Sequence, residues 1–235
     1  MATLLLTASV VCNDPNTTLK STDERRQSYV NAISDWLKKT SVENVVICEN
    51  TGDMGLGEAV HEVAATQNKY VEYITYIGDA AMVHLRGKGY GDGEIIEYAL
   101  DNSKALKEGA GGFFKATGRL NVANFDEIKR RIRGNENCFN LMSTVFRRDR
   151  QVDTRFFYVQ QDYYRDKLLA AYKSVDDRNG HYLERQFYSV LTGDPHVKKF
   201  PRLPEIVGAS ATMGKKYRAK SRLRAMFYSF GLYRV

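Results

Sequence analysis

Apolar residues in the first half of the chain follow two rhythms. The stretch 4–11, opening Leu4-Leu5-Leu6 and closing Val10-Val11, is a continuous run of strand length, as in a strand covered on both faces. Ser21-Thr22-Asp23-Glu24 then supplies capping-type residues, and Tyr29, Ile33, Trp36 and Leu37 recur at helical spacing. A second strand is predicted over 45–48, a short helix over 57–66 and a third strand over 70–77. A helix over 93–106 and a fourth strand over 113–117 complete this half. Strand–helix repeats with short connections predict an α/β fold, a mainly parallel Rossmann-like sheet flanked by helices. In such sheets ligands sit beyond the carboxyl ends of the strands. Past Asn135 the rhythm changes: strands are predicted over 138–146 and 154–159, and helices over 163–172 and 181–191. No linker interrupts the chain, so one domain is expected over 1–214, with 135–214 built onto 1–134.

The charge balance sharpens this picture. The chain has 235 residues and a net charge of +7. Six cations and no acid lie in the run from Lys215 to Arg224, so the rest is close to neutral. Aromatics and leucines follow that run, and 215–235 is expected to form a basic amphipathic helix suited to an anionic membrane surface. The plainer alternative is a helix docked on the domain with a solvated basic face. No RNA-binding, zinc-finger or helix-turn-helix signature is present, so no nucleic-acid partner is expected. Cys12, Cys48 and Cys138 are odd in number and widely spaced, which predicts a reducing compartment and no disulfide scaffold. Met1-Ala2-Thr3 lacks a basic leader, so a cytoplasmic protein is expected, peripheral on the inner membrane face through its tail.

Several segments carry candidate chemistry. Arg86-Gly87-Lys88-Gly89-Tyr90-Gly91-Asp92-Gly93-Glu94 places glycines at alternate positions before a helix. It is read as a loop whose freed N–H groups, with Lys88, cradle an anion; a surface turn is the plainer reading. Lys115-Ala116-Thr117-Gly118-Arg119 follows the fourth strand and could hold a diphosphate through backbone and guanidinium bonds. Glu49-Asn50-Thr51-Gly52 ends the second strand, where an acid or amide can read a base or ribose edge. Asp153-Thr154-Arg155 has only one carboxylate and suits an acceptor shelf or a structural ion pair. Asp176 and Asp177 precede a helix in which Glu184 sits among apolar Leu183, Phe187 and Leu191; Glu184 is the expected general base. The four histidines lack metal-binding spacing, and no serine has an acyl-transfer context.

Taken in order, these motifs resemble the GT-A fold glycosyltransferases, in particular small enzymes of bacterial and viral surface-glycan synthesis. The resemblance covers about residues 3 to 215. It implies a nucleotide-sugar half over about 1–134 and an acceptor half over 135–214. It implies that Thr7, Ala8 and Ser9 line the nucleotide pocket, that Glu49 and Asn50 approach the base, and that Lys88, Gly89 and Gly91 sit by the donor. Thr117-Gly118-Arg119 falls where related enzymes carry the Asp-x-Asp metal motif, so the usual Mn²⁺ or Mg²⁺ loses its carboxylate pair. Arg119 and Lys115 are then expected to neutralise the leaving phosphate. Glu184 falls at the catalytic carboxylate of inverting members, with Asp153, Arg155 and Asp177 as acceptor-side or structural groups. The implied activity is transfer of a hexosyl or related sugar from a nucleotide-sugar to a hydroxyl of a glycan or lipid-linked glycan in polysaccharide biosynthesis. A sugar nucleotidyltransferase and a non-enzymatic membrane or nucleic-acid binding module are the alternatives.

Overall fold

Six consecutive buried residues, Thr3–Ala8, form β1 in the interior of the main sheet. The structure is a computed structural model and describes residues 3–12, 17–109, 111–140, 143–144, 150–209, 216–217 and 233–234. Helix α1 (Thr22–Lys39) opens at Ser21, whose hydroxyl accepts from the Glu24 N–H. β2 (Asn44–Glu49), α2 (Met54–Ala64) and β3 (Tyr70–Thr75) complete the first repeats. Three helices follow, α3 (Ala80–Arg86), α4 (Lys88–Asn102) and α5 (Lys104–Glu108). Then come β4 (Gly112–Thr117), β5 (Leu120–Val122), α6 (Phe125–Arg131), β6 (Asn137–Phe139) and β7 (Ser143–Thr144). β8 (Phe156–Gln160) runs into α7 (Gln161–Tyr163), a π-helical turn Tyr164–Leu168 and α8 (Leu169–Lys173). A 3-10 turn Asp177–Asn179 leads to α9 (Leu183–Leu191). Short strands β9 (Val197–Lys199), β10 (Ile206–Ala209), β11 (Lys216–Tyr217) and β12 (Tyr233–Arg234) follow.

The main sheet has seven strands in the order β3-β2-β1-β4-β8-β6-β9. The first four are parallel, and β8 runs antiparallel to both β4 and β6. The chain steps outward from β1 to β3, then returns to the other side of β1 as β4. That reversal places a ligand-binding crevice at the carboxyl ends of β1 and β4. Side chains alternate across the sheet. Leu4, Leu6, Ile47, Phe114 and Ala116 pack with Trp36, Leu56 and Phe125 of α1, α2 and α6. Leu5, Cys48, Phe113 and Phe157 pack on the opposite face with Ile96, Tyr172 and Phe187 of α4, α8 and α9.

The glycine run departs from expectation. It is not a loop: α4 begins at Lys88, and Gly89, Gly91 and Gly93 are buried in its first two turns. Only Gly87, at φ 98°, breaks the backbone between α3 and α4. A Cβ on Gly93 would lie 2.3 Å from Tyr172 Cγ, and one on Gly89 would lie 3.0 Å from Leu183 Cβ. The glycines therefore let α4 approach α8 and α9 closely. Gly93→Ala should destabilise the fold by about 1–3 kcal/mol, a fall in Tm of about 2–12 °C, whether or not a ligand is present. A thermal melt without ligand checks this; an unchanged Tm would return Gly93 to a ligand-binding role.

The second half is more broken than its hydrophobic pattern implies. Of the strand expected over 138–146, Asn137–Phe139 and Ser143–Thr144 are strands, Asn140 is not, and 141–142 and 145–146 lie outside the described residues. Most of the expected helix over 215–235 also lies outside them. The two described pieces, Lys216–Tyr217 and Tyr233–Arg234, are short strands paired with β10 and β7.

Candidate functional site

At the carboxyl edge of β1 and β2 one carboxylate organises the loops. Glu49 has no exposed surface. It accepts from the N–H groups of Val10 (3.0 Å), Thr51 (2.9 Å) and Asp53 (3.0 Å). The hydroxyls of Thr75 (2.9 Å) and Thr51 also donate to it. With every lone pair committed internally, Glu49 ties the ends of β1, β2 and β3 together. This corrects the expectation that it reads a base.

Arg25, which sequence reasoning missed, supports the same segment from α1. Its buried guanidinium donates to the carbonyls of Ser9, Val10 (2.8 Å) and Leu19 (3.1 Å). The Tyr29 hydroxyl accepts from Ser9 N–H at 2.9 Å. Thr7 and Ala8 are buried within β1, the Thr7 carbonyl accepting from Gly118 N–H at 2.9 Å.

Strand parity places Thr7, Asn50, Lys115 and Thr117 on the face covered by α4. Lys115 has no exposed surface; its ammonium binds Asp92 at 2.6 Å and the Thr154 carbonyl at 3.0 Å. Glu184, in the first turn of α9, accepts from the Thr154 hydroxyl at 3.3 Å. Burial raises the Glu184 pKa above the usual carboxylate value. Its own N–H and Lys88 oppose that rise, while Asp92 and Asp177 add to it. Lys88 is exposed. The structure thus gathers Lys88, Asp177 and Asp92 around Glu184, with Lys115 bound to Asp92, which had no assigned role.

Two expectations change here. Asp177 accepts from Gly89 N–H at 3.3 Å, and a Cβ on Gly87 would lie 2.2 Å from its carboxylate. The start of α4, read as a phosphate cradle, is occupied by the protein's own anion. Lys115 and Arg119, expected to flank one diphosphate, also separate. Lys115 is sealed on the α4 face, whereas the Arg119 guanidinium lies 5.3 Å over the Tyr29 ring on the α1 face. Asp153 is bound by its neighbour Arg155 through bonds of 2.7 and 2.6 Å. The Arg155 carbonyl in turn accepts from Thr117 N–H at 3.0 Å.

Polar atoms short of partners gather at the ends of β2 and β3. Asn50 Oδ1 is buried with no hydrogen bond, and the buried Tyr76 hydroxyl and Glu94 Oε2 have only each other as partners among the described residues. Asn50 and Glu94 meet around Gly78: a Cβ there would lie 3.2 Å from Asn50 Nδ2 and 2.7 Å from Glu94 Oε2. Burial, followed by the Glu94 carboxylate, raises the Tyr76 pKa well above the ordinary phenol value.

No family model matches the chain, and no curated protein matches it in sequence. Among solved structures it is similar to the glycosyltransferase GlyE of Streptococcus pneumoniae TIGR4. The TM-score is 0.51 at 8% identity, covering 85% of this chain and 45% of that one. The fold is GT-A-like. The chain spans less than half the length of that GlyE chain. A nucleoside-diphosphate-sugar pyrophosphorylase from Vibrio cholerae RC9 matches with a TM-score of 0.47 at 10% identity, covering 84% of this chain and 91% of that one.

The resemblance to GT-A enzymes places a metal at the end of β4, and here that position reads Thr117-Gly118-Arg119. A hydroxyl, a glycine and a guanidinium do not form a donor set for a hard divalent cation. The neighbouring Asp153 is already committed to Arg155. These residues do not form a donor set for the metal that the resemblance implies. Among the described residues no helix is long and apolar enough to cross a membrane.

Proposed function

We propose that this chain is a glycosyltransferase that moves a sugar from a nucleotide-sugar donor to an acceptor hydroxyl with inversion. The supporting observation is Glu184: a carboxylate with a raised pKa, beside Thr154 at the carboxyl edge of the β1–β4 reversal. A raised pKa makes it a stronger base near neutral pH. Ionised Glu184 takes the proton of the acceptor hydroxyl as that oxygen attacks the anomeric carbon. The bond from that carbon to the phosphate oxygen breaks, and the nucleotide leaves with the electron pair. Lys88, in the first turn of α4 and in electrostatic reach of Glu184, meets the charge developing on the leaving phosphate. Asn50 with Glu94 takes the polar edge of the base at the other end of the crevice. No step is routed through a metal.

The test is thermal stabilisation of the full chain by UDP-, GDP-, CMP- and dTDP-sugars. A donor at about one hundred times its Kd should stabilise by about 2.7 kcal/mol, about 5–11 °C for a chain this size. EDTA should leave the shift in place. Absence of a shift with every donor overturns the reading. Pyrophosphate release from a nucleoside triphosphate and a sugar phosphate would transfer it to a nucleotidyltransferase.

A further inference from the structure

A second concave surface lies on the opposite face of the sheet from Glu184. The outward stripe of α1, which includes Glu24, Gln27, Asn31 and Asp35, faces Arg119 and Asn121 across a groove of about 610 Å³. That is within the usual range for ligand sites. Gly208 lines it from β10; a Cβ there would lie 2.6 Å from the Arg119 carbonyl, so β10 packs directly against the Arg119 backbone.

Polar groups in this groove lack partners. Arg119 Nε and Nη1 are buried donors without an acceptor, and Asn121 Oδ1 is a buried acceptor without a donor. Such groups destabilise the free protein, and a ligand that satisfies them recovers the loss. The guanidinium rests on the Tyr29 ring, a contact made through its π face that satisfies none of its N–H groups.

The charges select the kind of ligand. One cation, Arg119, shares the groove with Glu24, while Asp35 is paired with Lys39 at 2.8 Å. The lining is close to neutral, so a phosphate or polyanionic ligand finds no surplus of positive charge. A hydroxylated, uncharged ligand suits it better, because each hydroxyl both donates and accepts. It can receive from Arg119 and give to Asn121, Glu24 or Asp35.

We propose that this groove binds an uncharged saccharide chain, with Arg119 and Asn121 as its reading pair. Because the groove and Glu184 lie on opposite faces of the sheet, this saccharide is held apart from the hydroxyl that reacts, and Arg119 serves it rather than the donor diphosphate. The side chains of Glu24, Gln27, Asn31 and Asp35 lie along one stripe of α1, so the chain runs lengthwise along that helix.

The test is calorimetric titration of the full chain with neutral tetrasaccharides of glucose, galactose and N-acetylglucosamine. Tetragalacturonate, inorganic phosphate and UDP, GDP, CDP and dTDP are run alongside. At least one neutral tetrasaccharide should bind, and Arg119→Ala and Asn121→Ala should each weaken it at least tenfold. Asn121→Ala should leave nucleotide affinity unchanged. Asn121→Ser, a smaller change on β5, serves if Arg119→Ala fails to fold. If a nucleotide binds but no neutral saccharide does, the groove proposal falls and the glycosyltransferase reading stands. It also falls if the saccharide binds equally to both variants, if phosphate or tetragalacturonate binds in preference, or if Asn121→Ala loses nucleotide. If a neutral saccharide binds while no nucleotide does, the groove stands and the glycosyltransferase reading falls.

Discussion

On the proposed reading, Glu184→Gln should abolish transfer, retain nucleotide binding and raise the melting temperature at neutral pH. The activity loss follows from removing the proton acceptor and should reach about 10²–10⁴-fold. Binding should survive because Asn50 and Glu94, proposed to take the base, belong to other elements. The stability gain follows from linkage. Burial raises the Glu184 pKa above its usual value of 4.5. Its favourable contribution is therefore complete below about that pH and is lost as pH rises through the folded value. At pH 7 to 8 the native state holds an ionised carboxylate against burial, and glutamine removes that penalty. The Tm difference between variant and parent should thus be positive at pH 7 to 8 and vanish near pH 4. Transfer within tenfold of the parent would exclude Glu184 as the base. A Tm difference independent of pH would show that its carboxylate is not penalised by the fold.

Lys115→Met should be the most destabilising single change at the site. It leaves Asp92 without its cation and the Thr154 carbonyl without its donor. Breaking a buried pair costs about 3–5 kcal/mol. Asp92 keeps a quarter of its side chain in solvent, so the lower end, about 3 kcal/mol, applies. That corresponds to a fall in Tm of about 6–12 °C. Adding Asp92→Asn removes the stranded charge and should restore part of the loss. Because Lys115 has no exposed surface, nucleotide affinity of the folded variant should be unchanged. A large loss of affinity with little loss of stability would mean that Lys115 reaches the donor after all.

The first four strands could be read directly, because each is a contiguous apolar run or a β-rich segment set between helical patterns; their order in the sheet could not. What could not be read depends on partners far away in sequence. Glu49 looks like an ordinary turn acid until Val10 and Thr75 are brought to it by the sheet. Lys115 looks like a strand-exit cation, but its partner Asp92 lies on a helix that also had to be recognised. The glycine run misled for a local reason: glycine is a poor helix former, and only contact with Tyr172 and Leu183 shows why it is needed inside α4. Arg25 carried no motif at all, since it binds main-chain carbonyls. The apolar setting of Glu184 was legible because Leu183, Phe187 and Leu191 recur on its own helix.

The interior position of β1 has a consequence for biosynthesis. Its partner on one side, Asn44–Glu49, emerges from the ribosome soon after it, but on the other side it pairs with Phe113–Thr117. Until those residues are made, Thr3–Thr7 presents a row of unpaired main-chain groups flanked by Leu4, Leu5 and Leu6. At about 5–20 residues per second, the nascent chain spends several seconds as a half-sheet with an open apolar edge. This protein is therefore expected to depend on nascent-chain chaperones, and slower translation across residues 50 to 112 should lower its soluble yield.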